Sequence, residues 1–277
     1  MDAKTASPAL DAVAAEVLAM LGSGRQVAPF TSRSGSLTLA DAYRVLPLLR
    51  VGFEARGEAV VGRKIGFTNR AMWPQYGVYA PIWGYITDAT CHDLDGRKFS
   101  LAAFAEPKIE PEIIFGFGQA PSPGKNGNLD DMAILDCISW IALGYEIVQA
   151  IYPGWKFAAP DTVAANGLHG ALLIGPRHDV AANKAEWLRA LPAFTLALAC
   201  DGKLIERGSG ANVLDGPLST VRHLMTLLAD HPHNPPIAAG DIISTGTLTG
   251  AYAVKPGEVW TATPSDIALE PATLRFT

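Results

Sequence analysis

Glu110 and Glu112 stand inside the stretch Lys108-Ile-Glu-Pro-Glu-Ile-Ile-Phe-Gly-Phe, and Glu146 lies in the apolar run from Cys137 to Ile151. An ionised carboxylate taken out of water is costly unless a cation or good hydrogen bonds compensate it. A fold that buries both segments therefore has to bring them to a shared positive partner. A divalent metal meets that requirement, and a structural ion pair is the alternative. The β-branched and aromatic residues around 108–118 mark a strand, in which a period of two puts Glu110 and Glu112 on one face. Pro111 cannot donate to a ladder, which predicts an edge strand or a bulge there. Oxygen-only ligands favour Mg²⁺ or Mn²⁺ over Zn²⁺.

The 277 residues suffice for a large core, and a hydrophobic content of 49% with 18% charged residues describes a globular chain. The formal charge of −5 and the scattered Lys and Arg residues argue against nucleic acid. Cys91, Cys137 and Cys200 are widely spaced in apolar contexts, so reduced, buried thiols are expected instead of a disulfide framework or a zinc motif. The first residues lack a basic segment followed by an apolar one, and Met132 to Ile151 carries Asp136 and Glu146. No membrane span is expected, and a cytoplasmic location is.

Ser7 and Pro8 predict the start of a helix that carries Leu10, Val13, Val17, Leu18 and Leu21 and stops at Gly22 and Gly24. Thr38 and Asp41 open a second helix running toward Gly57, with Pro47 as an expected kink. Short strands are predicted at about 60–67, 84–87, 109–117 and 170–175. Asp201-Gly202 joins a hairpin, and Gly216-Pro217 opens a helix bearing Leu218, Val221, Leu224, Leu227 and Leu228. Strands near Asp241 to Thr245, Val259 to Thr263 and Leu269 to Phe276 close the chain. The expected organisation is an α+β (mixed α/β) fold, with a helical region at 1–58 and a sheet-rich catalytic region at 59–277 that form one structural unit.

Gly62-Arg-Lys-Ile-Gly-Phe puts Arg63 and Lys64 on opposite faces of a strand, and glycines 62 and 66 leave space beside Lys64. Lys64 can then reach a cavity and hold an anion or exchange a proton; a salt bridge to one of the glutamates is the alternative. The turn containing Thr245, Gly246 and Thr247 offers hydroxyls and backbone N–H groups to a carboxylate, or merely reverses the chain. His169 is a candidate acid or base, or a satisfied core histidine.

Val61-Gly-Arg-Lys-Ile-Gly-Phe-Thr, Ile109-Glu-Pro-Glu-Ile, Tyr145-Glu-Ile-Val, Asp161-Thr-Val-Ala, Gly208-Ser-Gly and Gly240-Asp-Ile-Ile-Ser-Thr-Gly occur in this order. From about Thr38 to the C-terminus the chain resembles the 2-keto-4-pentenoate hydratase branch of the fumarylacetoacetate hydrolase superfamily, which includes 4-oxalocrotonate decarboxylases. The resemblance implies a mixed-sheet barrel or roll with flanking helices, Mg²⁺ (or Mn²⁺) on Glu110, Glu112 and Glu146, and Lys64 in the active site. The implied substrate is a small 2-oxo or 2-hydroxydienoic acid of aromatic catabolism, and the implied protein is a homo-oligomer, able to associate with a homologous enzyme.

Three departures stand out. Ile82 in Ala80-Pro-Ile-Trp-Gly occupies the place of an Asp in the hydratases, Gln149 follows Glu146-Ile-Val where they have Asp, and Ala165 replaces another Asp. A hydratase-type lyase is the leading expectation, and a decarboxylase is the alternative that the apolar Ile82 suits. An acylpyruvate hydrolase relying on His169, and a non-catalytic 2-oxo-acid binder or partner subunit, are further alternatives. Ile82, Trp83, Trp73 and Tyr76 are expected to wall the distal end of the pocket.

Overall fold

The computed structural model describes residues 9–33, 36–96, 98–122, 129–231 and 233–277. Ser7, Pro8 and the side chain of Tyr76 lie outside the described residues. The helices are α1 (Leu10–Met20), α2 (Leu39–Ala55), α3 (Trp73–Tyr76), α4 (Asp131–Cys137), α5 (Ala159–Ala164), α6 (Lys184–Ala193) and α7 (Pro217–Asp230). The strands are β1 (Val60–Gly66), β2 (Ile82–Thr87), β3 (Cys91–Asp93), β4 (Lys98–Phe99), β5 (Lys108–Phe117), β6 (Ile138–Val148) and β7 (His169–Ile174). They continue with β8 (His178–Asp179), β9 (Thr195–Cys200), β10 (Lys203–Ser209), β11 (Ile242–Thr247), β12 (Tyr252–Ala253), β13 (Val259–Ser265) and β14 (Ala272–Phe276).

Local chemistry accounts for several of these boundaries. Thr38 caps α2, its Oγ1 accepting from the Asp41 N–H at 3.1 Å, and the helix continues through Pro47 to Ala55. Asp201 and Gly202 have φ of 48° and 77°, as a tight turn between β9 and β10 requires. The sequence pattern did not distinguish α4, α5 or α6. Each is short, and α4 runs directly into β6 within one apolar stretch.

The larger sheet has the order β2-β1-β11-β5-β6-β7-β3, with β12 added to β5 and β8 to β6. β1 pairs parallel to β11, and β3 to β7, within otherwise antiparallel neighbours. The sheet curls so that β2 returns against β7. Asn166 bridges the gap: its Oδ1 accepts from the Tyr85 N–H at 2.7 Å and its Nδ2 donates to the Tyr85 carbonyl at 2.9 Å. A smaller sheet, β10-β9-β13-β14-β4, lies alongside. The result is a mixed α/β half-barrel with flanking helices, as expected. Val13, Val17 and Leu46 share one buried cluster with Ile113 and Tyr145.

Three expectations need correction. Pro111 lies on a central strand, not an edge. The irregularity is a bulge in neighbouring β11, where Ser244 to Thr247 face only Ile114 to Glu112. The Pro111 carbonyl accepts from the Leu248 N–H at 2.9 Å, so its missing N–H points to this bulged segment. Gly62 leaves no free space, because a Cβ there would lie 1.9 Å from the Ile242 carbonyl oxygen of β11. The three thiols are free but half-buried. The apolar faces of α1 and α7 are buried in the chain's own core through Val17, Val221 and Leu224. No helix among the described residues is long and apolar enough to cross a membrane.

Candidate active site

The inner face of the curled sheet positions the acidic trio. Glu110 on β5 lies directly across the ladder from Glu146 on β6, and Glu112 follows two residues along, opposite Gly144. One oxygen of each carboxylate lies within 4.8 Å of the others. Glu112 and Glu146 are fully buried, and Glu110 lines the adjoining cleft. The Glu112 Oε2 accepts from the Gly246 N–H at 2.9 Å and from the Ser244 hydroxyl. Glu112 Oε1, equally buried, makes no hydrogen bond among the described residues.

Lys64 reaches the trio from β1. Its Nζ lies 2.9 Å from Glu146 Oε2 and donates to the Gly167 carbonyl at 3.0 Å. Gly167 has φ of 64°, and a Cβ there would lie 2.9 Å from Lys64 Cδ, so only glycine fits beside the lysine stem. Arg63, on the opposite face, pairs with Asp241 at 2.8 Å and stacks near the Tyr85 ring. His169 Nδ1 lies 2.8 Å from Glu146 Oε1, and its Nε2 is 3.0 Å from Thr90 Oγ1.

The electrostatics divide the trio. Burial and the neighbouring Glu146 push the Glu110 carboxyl up to about 7, against the pull of Lys64 and Lys108. Burial, with Glu146 and Glu110 beside it, also holds Glu112 well above the ordinary carboxylate range. Glu146 moves the other way: burial opposes its charge, but Lys64 and His169 outweigh that cost. For Lys64, burial favours the neutral amine, yet the three carboxylates together raise its pKa. One lysine cannot neutralise three carboxylates. The orphaned Glu112 oxygen, the carboxyls of Glu110 and Glu112 that favour their protonated forms without a further cation, and the all-oxygen donor set fit a hard dication held by Glu110, Glu112 and Glu146.

Beyond the trio the cleft is mostly apolar, with Ile82, Met72, Val148, Trp155, Phe157 and Leu168 along its wall. Gly246 and Thr247 line it as well. Three expected positions do not. Trp83 alternates away from Ile82 and packs edge-on against Tyr85 in the core. The Thr245 hydroxyl is turned to the Ile113 carbonyl, 2.9 Å away. Trp73 donates its Nε1–H to the Phe67 carbonyl at 2.8 Å, leaving Met72 on the wall. His169 stands behind Glu146, holding its carboxylate at 2.8 Å, and is not among the residues that line this cleft.

Sequence reasoning did not single out Ser244, Gly167, Trp155 or Phe157. Ser244 did lie within the segment from Gly240 to Gly246, but nothing local marked its role or that of Gly167. Trp155 and Phe157 sit on an irregular segment around Gly154, without a periodic pattern to assign their direction.

Comparison with known proteins agrees with this architecture. Residues 74–270 match the profile of the fumarylacetoacetate (FAA) hydrolase C-terminal region. The chain is 34% identical to a 4-oxalocrotonate decarboxylase of Pseudomonas putida over 224 residues, covering 80% of each. It is 30% identical to a 2-keto-4-pentenoate hydratase of Burkholderia vietnamiensis, covering 90% of this chain and 91% of that one. The structure of 4-oxalocrotonate decarboxylase from Pseudomonas putida G7, complexed with magnesium and adipate, superposes with a TM-score of 0.85 at 30% identity, over 97% of both chains. The half-barrel, the clustered carboxylates and these matches place the chain in the fumarylacetoacetate hydrolase family.

Proposed function

We propose that the protein is a divalent-metal-dependent lyase acting on a small 2-oxo acid or its 2-hydroxydienoic tautomer, with Mg²⁺ (or Mn²⁺) held by Glu110, Glu112 and Glu146. The observation that carries this is the three-carboxylate cluster joined to Lys64 at the head of a mostly apolar cleft. When bound, the metal supplies a Lewis acid that draws electron density onto the carboxylate and 2-oxo oxygens of the substrate. The ammonium of Lys64 has three protons. The Gly167 carbonyl takes one and Glu146 Oε2 pairs with the charge at 2.9 Å, which leaves donor capacity for a substrate oxygen, where it stabilises developing enolate charge.

Loss of CO₂ is the outcome that this cleft supports best. Cleavage of the bond to a distal carboxylate sends its electron pair through the conjugated system to the 2-oxo oxygen, giving a dienol after protonation. That step needs an electron sink, a nearby cation and an apolar wall that strips water from the departing carboxylate. Water addition needs a base to activate water. Among the described residues lining the cleft, only Lys64 and Glu110 are ionisable, and Ile82 adds an apolar side chain to its wall. The hydratase reading stays second, supported by the Thr162 and Thr247 hydroxyls along the same wall.

The test is absorbance-monitored turnover of 2-oxohex-3-enedioate and 2-hydroxypenta-2,4-dienoate, each with Mg²⁺ and with EDTA, and with Glu112→Ala as control. CO₂ release from the dicarboxylate, abolished by EDTA and by the substitution, is expected. A 4-hydroxy-2-oxo acid formed from the dienoate would establish the hydratase instead. Inactivity on both with Mg²⁺ present would overturn the assignment.

A further inference from the structure

Thr68 follows the turn at the end of β1, and its side chain is 2% exposed and lines the cleft. Its hydroxyl makes no hydrogen bond among the described residues. The other polar side chains nearby are engaged: the Thr162 hydroxyl donates to the Ala159 carbonyl, Thr247 Oγ1 accepts from the Thr249 N–H, and Asn69 Oδ1 accepts from the Ala71 N–H. A buried hydroxyl without a partner carries a desolvation penalty, so a bland core position would favour valine at the same volume.

The backbone around Thr68 is held in an unusual shape. Phe67 has φ of 53°, a left-handed conformation that is costly for a bulky side chain. Trp73 clamps its carbonyl, and the Leu214 N–H donates to the Thr68 carbonyl at 3.1 Å. A Cβ on Gly246 would lie 1.8 Å from Thr68 Oγ1. The hydroxyl thus abuts the same backbone segment whose N–H holds Glu112, at the carboxylate-cluster end of the cleft.

We infer that the Thr68 hydroxyl is a substrate-binding group, donating a hydrogen bond to the carboxylate adjacent to the 2-oxo group and fixing the acid's orientation against Lys64. The inference rests on the 2-oxo-acid function proposed above. It adds an anchor for the acid head that is supplied neither by a metal ligand nor by Lys64.

Calorimetric titration of pyruvate, the minimal 2-oxo acid, into the Mg²⁺-loaded protein tests it. Thr68→Val should weaken binding by about ten- to a hundredfold, the effect of removing a hydrogen bond to a charged group, whereas Thr68→Ser should stay within about threefold of wild type. The melting temperature of metal-free Thr68→Val should be unchanged or higher, opposite to the loss that a purely structural hydroxyl would give. Should the valine variant not fold, Thr68→Ala is expected to show the same binding loss. Wild-type affinity in Thr68→Val or Thr68→Ala would overturn the inference alone. Failure of the wild-type protein to bind pyruvate with Mg²⁺ present would overturn the 2-oxo-acid function and this inference with it.

Discussion

Lys64 Nζ and Glu146 Oε2 lie 2.9 Å apart, with both side chains almost wholly excluded from solvent. The pair joins two strands separated by β11 and β5, so it ties the curled sheet across its inner face. Removing one member of a buried pair leaves an uncompensated charge, which costs about 3–5 kcal/mol. Lys64→Met should therefore lose about that much stability in urea denaturation with EDTA present. Adding Glu146→Gln should cost much less than the sum of the two single changes. Full additivity would show that the pair is not coupled.

Ser244 and His169 each fix one carboxylate of the trio from outside the cleft, Ser244 through Glu112 and His169 through Glu146. Groups that orient metal ligands typically contribute about 10–100-fold in affinity. Calorimetric titration should show Mg²⁺ affinity lowered by about that factor in Ser244→Ala and in His169→Ala, and lost in Glu112→Gln. Unchanged affinity in Glu112→Gln would remove it from the ligand set.

The carboxyl pKa values predict an inverse pH dependence for the metal-free protein. Burial, first, and neighbouring charge raise Glu110 to about 7 from an ordinary 4.5 and hold Glu112 well above that ordinary value. Between those limits the folded state retains protons that the unfolded chain has released, so this contribution to stability falls as pH rises. Metal binding requires the deprotonated carboxylates. The difference in melting temperature between Mg²⁺-loaded and EDTA-treated protein should widen from about pH 5 to about pH 8. A constant or shrinking difference would contradict the raised carboxyls of Glu110 and Glu112.

Gly62 sits where β1 and β11 run parallel, with the Ile242 carbonyl oxygen 1.9 Å from the position a Cβ would take. The obstacle is backbone, so the strands have to separate. Gly62→Ala should cost about 3 kcal/mol or more, and its measure is the urea midpoint or the loss of soluble protein.

Much of this protein is written in short-range patterns. Alternation placed Glu110 with Glu112 and set Arg63 against Lys64 on opposite faces of one strand. Thr38 with Asp41 marked the start of α2, and Asp201-Gly202 marked the β9–β10 hairpin. These features depend on a residue and its near neighbours, through backbone dihedrals and local hydrogen bonds, so the amino-acid order determines them by itself. The acidic residues in apolar surroundings also declared, from desolvation alone, that some positive partner had to be supplied.

Only the tertiary structure decided which groups meet. That Glu146 lies opposite Glu110 follows from the β5–β6 register, and that Lys64 reaches Glu146 follows from the curl of the sheet. The same long-range packing turned Trp83 and Thr245 away from the cleft, put His169 behind Glu146 and moved the irregularity signalled by Pro111 into β11. It also brought Thr68 against Gly246, 178 positions along the chain. Register and curvature are set by side chains that interlock across strands far apart in sequence, and no local periodicity carries that information.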